Sequence, residues 1–489
     1  MSTSTIEKLL PDNAYWRYFL QICRIPHPSG HEAALRDMLK EEAEKHHLKT
    51  RIDSAGNLAI DRPAAVGCEH YPRIILQAHL DMVPQAADGF EFDFLRDSIP
   101  VVVEGDWVTT GNRTTLGADD GMGIALAMEL LCDESLKCGA LRGVFTVAEE
   151  TGLGGAENID RSFLDADILL NLDSDRIYTI GCAGGSRFDG KIKWQSQAPS
   201  AGSQGIRIVL QGLCGGHSGE DIHRPVGSAA VELGDFLQNV QEIGFELASV
   251  RVGNLSNAIA REGVITAAIA PDKYENIIRL AEAYETILNS ELQPGPDGRI
   301  VLQVEKLPAV PDLVLAPEAQ TAMLDLWCQL PHGVLEQSDS GAVISSCNLA
   351  IVNGTAGKEW FFTLLSRSLY NHKRQKITDD TLNLMHKYGL TAAEESSYSS
   401  WEPQFDSGLL NMAMAIYREL YGSEAERYVT HGGLETGLFY GIKPDLQMIS
   451  LAPLACGIHS PQERLSISDS EKVRQLLRRL LEKSCDLNM

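Results

Sequence analysis

The chain has 489 residues, which corresponds to roughly two to four domains of ordinary size. It carries 42 Lys and Arg against 67 Asp and Glu, a formal charge of −25. Such a charge repels nucleic acid phosphates and anionic membrane surfaces, so we expect neither as a partner. No run approaches the ~18 apolar residues of a membrane span, and the first residues lack the pattern of a secretory signal. Ten scattered cysteines without a CxxC pair indicate reduced thiols, so we expect a cytoplasmic protein.

The N-terminal part of the chain alternates helix-like and strand-like segments. Residues 31–46 have the spacing of an amphipathic helix, and 121–131 predict a second helix. Three short apolar runs, at 73–79, 143–148 and 168–172, are typical of buried strands. This alternation predicts an α/β fold in which helices flank a mixed sheet.

The middle of the chain has a different order of elements. Its first half predicts strand, helix, strand, strand, helix and strand, at 206–211, 227–240, 246–252, 263–270, 275–292 and 299–305. This βαββαβ order is typical of a ferredoxin-like α+β unit. The α/β pattern then resumes, with elements at 405–421, 433–440, 446–452 and 469–484. We therefore predict a discontinuous first domain, residues 1–186 and 399–489, with residues 187–398 inserted as a second domain.

Polar side chains follow the predicted strands of the first domain at the point where each strand ends. His79 and Asp81 follow the first apolar run, Glu149 and Glu150 follow the second, and Asp173 follows the third. Ligands of open α/β sheets bind beyond the carboxyl ends of the strands. These side chains can therefore meet in one cleft although they are far apart in sequence.

Two residues from other segments complete a chemically coherent set. Asp119 precedes the helix at 121–131, and His459 follows the strand at 446–452 after a short loop. Zinc takes histidine nitrogen and carboxylate oxygen, and two metals ~3.5–4 Å apart need a carboxylate that bridges them. Five residues supply such ligands: His79, Asp119, Glu150, Asp173 and His459. Glu149 then remains as a candidate general base, and Asp81 is placed to accept the second ring N–H of His79.

Taken singly, each of these residues has an ordinary structural explanation. A lone His79 fits a hydrogen-bonded residue at a strand end, and Asp119 fits a helix N-cap. The pair Glu149–Glu150 fits a solvated strand end, and the glycine-rich segment 215–219 fits a turn. The joint pattern favours a functional site, because unrelated surface residues would not all fall at element ends with complementary ligand types.

Together these motifs resemble the M20 family of metallopeptidases. The matching segments occur in family order: HLDMVP at 79–84, TTLGADDGMG at 114–123, AEETG at 148–152, NLDSD at 171–175, GGHSG at 215–219 and the late His459. Other strings are similar to the aminoacyl-histidine dipeptidases, a branch also called Xaa-His or cytosolic non-specific dipeptidases: ICRIPHPSGHE at 22–32, QAHLDMVPQ at 77–85, GCAGG at 181–185, NAIARE at 257–262 and HGGLETGLF at 431–439. Asp120 departs from that branch, where asparagine is expected, although the wider family also has aspartate there.

The resemblance implies a role for each residue of the set. Asp119 would bridge two zinc ions, for which cobalt or manganese can substitute. The remaining ligands would divide into one pair on each ion: His79 with Asp173, and Glu150 with His459. Glu149 would be the general base, and Asp81 would orient His79.

The resemblance also implies roles for the inserted domain, as a lid and as the dimerisation domain of a homodimer. His217 would reach the active site of the partner subunit and polarise the scissile carbonyl. Asn257 and Arg367 would clamp the free carboxylate of a dipeptide, although Arg367 by itself equally fits a surface strand. Gly433 would contact the substrate through its backbone.

The reaction that this implies is metal-dependent hydrolysis of unblocked dipeptides, Xaa-His such as β-alanyl-histidine as well as others. An N-acyl amino acid deacylase, a desuccinylase or a tripeptidase on the same scaffold stays open, because the metal ligands act on the scissile bond and not on side chains. An inactive binding or scaffold homologue is disfavoured by the complete ligand set. A thiol enzyme is disfavoured because no cysteine lies in a motif with a histidine base.

Overall fold

The chain folds into two compact units. The computed structural model describes residues 10–174, 176–296 and 298–487. The first unit contains the described residues up to Gly181, together with Pro403–Val429 and the described residues from Leu434 onward. The second contains the described residues of Cys182–Glu402 and the short segment Thr430–Gly433. The first unit is thus assembled from separate stretches of the chain.

An eight-stranded mixed sheet organises the first unit. In spatial order its strands are Lys49–Ile52, Leu58–Arg62, Leu141–Thr146, Ile74–His79, Ile168–Asn171, Gln447–Leu451, Ile177–Cys182 and Tyr428–Thr430. The four strands from Leu141–Thr146 to Gln447–Leu451 are parallel to one another. Every residue of Ile74–His79 and Ile168–Asn171 is buried, which is why these strands are mostly apolar in the sequence.

Helices and a smaller sheet complete the first unit. Its helices are Ala14–Ile22, Ala33–Lys45, Ala118–Cys132, Gly154–Glu157, Gly408–Tyr421, Glu435–Ile442 and Ile467–Lys483, with 3₁₀ turns at Arg161–Leu164 and Ser484–Asp486. The helix Ala118–Cys132 packs against two of the parallel strands, Ile74–His79 and Leu141–Thr146. The smaller sheet has the strand order Ala455–Cys456, Arg464–Ser466, Trp107–Thr109 and Val102–Glu104. It attaches the C-terminal segment to the region that precedes the helix Ala118–Cys132.

The second unit is built on an antiparallel sheet of nine strands. Eight lie in the order Val301–Lys306, Gln204–Gln211, Gly263–Ile269, Glu246–Val252, Val343–Thr355, Trp360–Ser368, Gly184–Ile192 and Thr391–Tyr398, and Gly333–Gln337 also pairs with Val343–Thr355. The short pairs are Ser196–Gln197 with Val314–Leu315 and Gly216–His217 with Ala258–Ile259. Its helices are Ala229–Asn239, Tyr274–Glu291, Pro317–Gln329 and Asn371–Lys387, with 3₁₀ turns at Gln241–Ile243 and Pro271–Lys273.

The predicted βαββαβ succession is present, but it does not form a unit of its own. Its four strands are adjacent, and the strand Glu246–Val252 then pairs with Val343–Thr355 through Ser249–Val252. The ferredoxin-like arrangement therefore supplies four of the nine strands of a larger continuous sheet. Periodicity along the chain reveals strands but not which strand covers the free edge of its neighbour, so this continuation could not be predicted.

All ten cysteines are free thiols, and five of them are buried. None of the helices that the structure describes has the length and apolar composition needed to cross a bilayer.

Candidate metal centre

The carboxyl ends of three parallel strands bring the first group of predicted residues together. His79 is the last residue of Ile74–His79 and lies in register with Thr146, the last residue of the neighbouring strand. Glu149 and Glu150 follow Thr146 within a short turn, and Asp173 follows the strand Ile168–Asn171 on the other side. Side chains at three neighbouring strand ends therefore face one point of the first unit.

Asp119 joins this group from the start of the helix Ala118–Cys132. Its Oδ1 lies 2.9 Å from Nε2 of His79, and its Oδ2 lies 3.3 Å from Nε2 of His459. The same nitrogen of His459 lies 2.9 Å from Oε1 of Glu150. Asp119 thus stands between two imidazoles that come from opposite ends of the chain, which is the position that a bridging carboxylate requires.

Three overlapping groups of ligand atoms result. In each group the nitrogen and carboxylate atoms lie within 4.8 Å of one another. The groups are His79 with Glu149 and Glu150, His79 with Asp119 and Asp173, and Asp119 with Glu150 and His459. The last two groups share Asp119 alone. They use the five predicted ligands and leave Glu149 outside.

Asp81 fixes both the first histidine and the turn that carries the glutamates. Nδ1 of His79 lies 3.0 Å from the backbone carbonyl of Asp81 and 3.6 Å from its carboxylate. The Asp81 carboxylate also accepts hydrogen bonds from the backbone N–H groups of Glu149, at 2.9 Å, and Glu150, at 3.1 Å. A proton held on Nδ1 in this way leaves Nε2 of His79 available for a metal.

The electrostatics of the group favour a bound cation. Burial, and next the nearby charge of Asp119, raises the pKa of Asp173 to about 8. Burial also raises the pKa of Glu149 well above its usual range. Hydrogen bonds to Asp119 and Glu150 raise the pKa of His459 to about 10. Burial thus favours the neutral form of these carboxylates, while the hydrogen bonds favour the charged form of His459. A divalent metal favours the opposite forms, the ionised carboxylate and the neutral imidazole, in which both groups can act as ligands.

A buried polar network lies beneath the ligands and was not predicted. Glu435 is fully buried, and its Oε2 accepts hydrogen bonds from Gln77, at 2.6 Å, and Thr146, at 2.7 Å. Gln77 in turn accepts a hydrogen bond from Asn171 at 2.5 Å. Gln77 and Asn171 each lie two residues before a predicted ligand. Burial raises the pKa of Glu435 to about 7. The sequence signals were the amides inside apolar strands, two positions before His79 and Asp173, and the place of Glu435 in the HGGLETGLF segment.

The second unit gathers the predicted substrate-binding residues around a buried arginine. Arg367 is 4% exposed, so the surface alternative for this residue is wrong. It donates to the Tyr398 hydroxyl at 2.8 Å, to the Ser218 hydroxyl at 3.3 Å and to Nε2 of His217 at 3.4 Å. A Cβ atom on Gly433 would lie only 2.9 Å from the Tyr398 ring, so a larger residue at this position would have to displace that ring.

Asn257 lies at the rim of this group. Its side chain is exposed, and its backbone carbonyl accepts the N–H of Ser218 at 2.9 Å. Ser218 and Tyr398 were not predicted. Ser218 follows His217 directly in the GGHSG motif, whereas nothing in the sequence around Tyr398 distinguishes it from other strand tyrosines.

Comparisons with known proteins agree with the motifs. The sequence pattern of Peptidase family M20/M25/M40 matches residues 75–483. The cytosol non-specific dipeptidase of Escherichia coli (strain K12) is 34% identical over 484 residues, which cover 98% of this chain and 99% of that protein. The crystal structure of aminoacylhistidine dipeptidase from Vibrio alginolyticus matches with a TM-score of 0.84 at 33% identity, over 97% of each chain. A tripeptidase from Staphylococcus aureus has the same fold, with a TM-score of 0.59 at 15% identity over 97% of this chain and 98% of that one.

Proposed function

This chain belongs to peptidase family M20/M25/M40, and from that premise we propose that it hydrolyses unblocked dipeptides with the help of two metal ions. The observation that carries the proposal is the pair of ligand groups that share Asp119 and nothing else. Two relatives that are at least 33% identical over nearly the whole chain are named as dipeptidases, which supports a dipeptide substrate. The name of the first also supports a cytosolic location.

The proposed ligands divide into two sets. His79 and Asp173 would hold one ion, Glu150 and His459 would hold the other, and Asp119 would bridge them. We propose zinc, with cobalt or manganese as substitutes, because this mixture of imidazole and carboxylate suits all three. When bound, such ions lower the pKa of water and polarise a peptide carbonyl.

Glu149 performs the proton transfers in this proposal. It lies in the turn after the strand Leu141–Thr146, outside the two ligand sets that share Asp119. Its backbone is fixed by the hydrogen bond to Asp81. It accepts a proton from the attacking water and returns that proton to the leaving amine as the peptide bond breaks.

The second unit supplies substrate recognition. Arg367 presents a guanidinium, which suits the free carboxylate at the end of a dipeptide. Asn257 would add an amide to that clamp, Gly433 a backbone contact, and His217 a donor that stabilises the developing oxyanion. We further propose that this unit acts as a lid and as the dimerisation domain, with His217 acting on the partner subunit. Mixing His217→Ala and Glu149→Ala proteins tests this point, because only action in trans restores activity in mixed dimers.

The main test is an assay of free amino acids released from dipeptides by the purified protein loaded with zinc. We expect release from β-alanyl-histidine and from other free dipeptides, and its loss when a chelator is added. Release only from N-acylated or N-succinylated amino acids would favour a deacylase or desuccinylase, and release only from tripeptides would favour a tripeptidase. No release and no bound metal would indicate an inactive homologue.

A further inference from the structure

Glu463 is a buried carboxylate that has no part in the proposed reaction. It is 2% exposed and follows His459 by four residues. Its Oε2 accepts the backbone N–H of Leu116 at 2.6 Å and that of Gly117 at 3.1 Å. Its Oε1 accepts the N–H of Ala118 at 2.8 Å and lies 3.5 Å from the nitrogen of Asp119.

The donors come from consecutive residues, so the carboxylate is held by one turn of backbone. Gly117 has a φ of 71°, and this left-handed conformation helps to bring successive N–H groups toward one point. Successive N–H groups form a concave site for an anion, and here the anion belongs to the chain itself. In the part of the chain that the structure describes, the hydrogen bonds of Glu463 go to these N–H groups and not to a Lys, Arg or His side chain.

A buried carboxylate without a cationic partner is unfavourable unless its hydrogen bonds are well made. The turn that satisfies Glu463 ends at Asp119, whose two oxygens face His79 and His459. The segment that carries Glu463 also carries His459. One short stretch of chain therefore provides both a ligand and the anchor of the neighbouring ligand.

We propose that Glu463 is a positioning residue that sets the backbone of Asp119 before any metal binds and joins the Asp119 turn to the His459 loop. The proposal rests on the two-metal centre of the proposed function. It assigns to Glu463 no contact with substrate or metal. It predicts instead that metal affinity depends on a side chain that is not itself a ligand.

The test compares Glu463→Gln with a matched control. Glu246 also holds a turn of backbone, because its carboxylate accepts the N–H of Ser200 at 3.0 Å and the Ser200 hydroxyl at 2.9 Å. Glu246→Gln therefore damages a similar anchor in the second unit, which contains none of the proposed ligands. Zinc affinity is measured by competition with a chromophoric chelator on the metal-free full-length proteins, together with the thermal midpoint of each metal-free protein.

We expect Glu463→Gln to weaken zinc binding by about 10–100-fold, which is usual when a group that supports a ligand is lost. Glu246→Gln should keep the zinc affinity of the natural chain, whatever its thermal midpoint. Unchanged affinity in Glu463→Gln would overturn the proposal, and so would an equal loss of affinity in Glu246→Gln. If Glu463→Gln does not fold, Glu463→Asp replaces it, because aspartate keeps the negative charge on a shorter side chain. A zinc affinity of Glu463→Asp equal to that of the natural chain would again overturn the proposal.

A measurement on the natural sequence gives an independent answer. Hydrogen exchange of the amides of residues 116–119 should be slow in the metal-free protein, because Glu463 already holds them. Fast exchange that becomes slow only after zinc is added would overturn the proposal, since the metal would then order the turn. Absence of zinc binding by the natural chain would instead overturn the proposed function, and the exchange measurement would still decide the role of Glu463.

Discussion

Nε2 of His459 lies 2.9 Å from Oε1 of Glu150, although 309 residues separate the two in the sequence. The first residue follows the last parallel strand, and the second follows a strand near the beginning of the chain. His459 lies in an exposed loop, whereas the side chain of Glu150 is 8% exposed. This proximity is the arrangement that the metal ion proposed to be shared by the two side chains would use.

The amount of metal that is lost should depend on which ligand is replaced. His459→Ala should lose one ion per chain, because it removes a ligand from one of the two sets. Asp119→Asn should weaken the binding of both ions, because Asp119 belongs to both groups of ligands. Metal analysis after dialysis against buffer with a defined free zinc concentration measures this. Equal loss in the two variants would contradict the proposed division of ligands.

Replacement of the proposed base should impair the chemical step and leave metal binding intact. Glu149→Ala should lower kcat by about 10²–10⁴-fold, the usual contribution of a positioned acid–base group. The bound metal and KM should change little, since Glu149 lies outside the two ligand sets that share Asp119. Steady-state kinetics and metal analysis on the same preparation provide the comparison. Near-normal kcat would show that another group moves the proton.

Arg367 should select substrates by their free carboxylate. Arg367→Lys keeps the charge but loses the planar pair of donors, so kcat/KM for a dipeptide should fall by one to two orders of magnitude, or about 1.4–2.8 kcal/mol. The same change should cost little with a dipeptide amide, which lacks the carboxylate. Tyr398→Phe is the control, because it removes only the hydroxyl that accepts from Arg367. An equal loss with both substrates would assign Arg367 to the structure of the second unit instead.

His332 should make the second unit less stable in mild acid. Burial lowers the pKa of His332 from 6.5 to about 4. Between these two pH values the unfolded chain binds the proton and the folded chain does not. The free energy of unfolding should therefore fall as the pH decreases through this window, by about 3 kcal/mol at most.

The measurement is denaturant unfolding at several pH values for the natural chain and for His332→Gln. We expect a smaller pH dependence in the variant. Nδ1 of His332 accepts the N–H of Leu349 at 3.1 Å, so the amide oxygen of glutamine offers a replacement acceptor. His386→Gln, which replaces an exposed histidine of the same unit, serves as the control for the substitution itself.

Much of the first unit could be predicted because its central strands are buried on both faces. The run at 73–79 became the strand Ile74–His79, and the run at 168–172 became Ile168–Asn171. A strand covered on both sides is mostly apolar, so polar residues at its end are conspicuous. The same rule placed His79 and Asp173 at one edge of the sheet.

The groups that support the ligands could not be predicted in the same way. Glu463 lies in a stretch, HSPQE, that has the composition of an exposed turn, and its burial depends on the N–H groups of a distant turn. The burial of Arg367 likewise depends on Ser218 and Tyr398, which approach only in the folded second unit. Local sequence carries information on periodicity and chain reversal, but not on which distant backbone will satisfy a side chain.

The position of the strand Gln447–Leu451 has a consequence for folding. This strand lies between Ile168–Asn171 and Ile177–Cys182, which are close together in the sequence, and it pairs with both. The two earlier strands therefore reach their places in the sheet only when a distant segment of the chain is inserted between them. Because His459 follows that segment, completion of this sheet and arrival of a proposed metal ligand are one folding event.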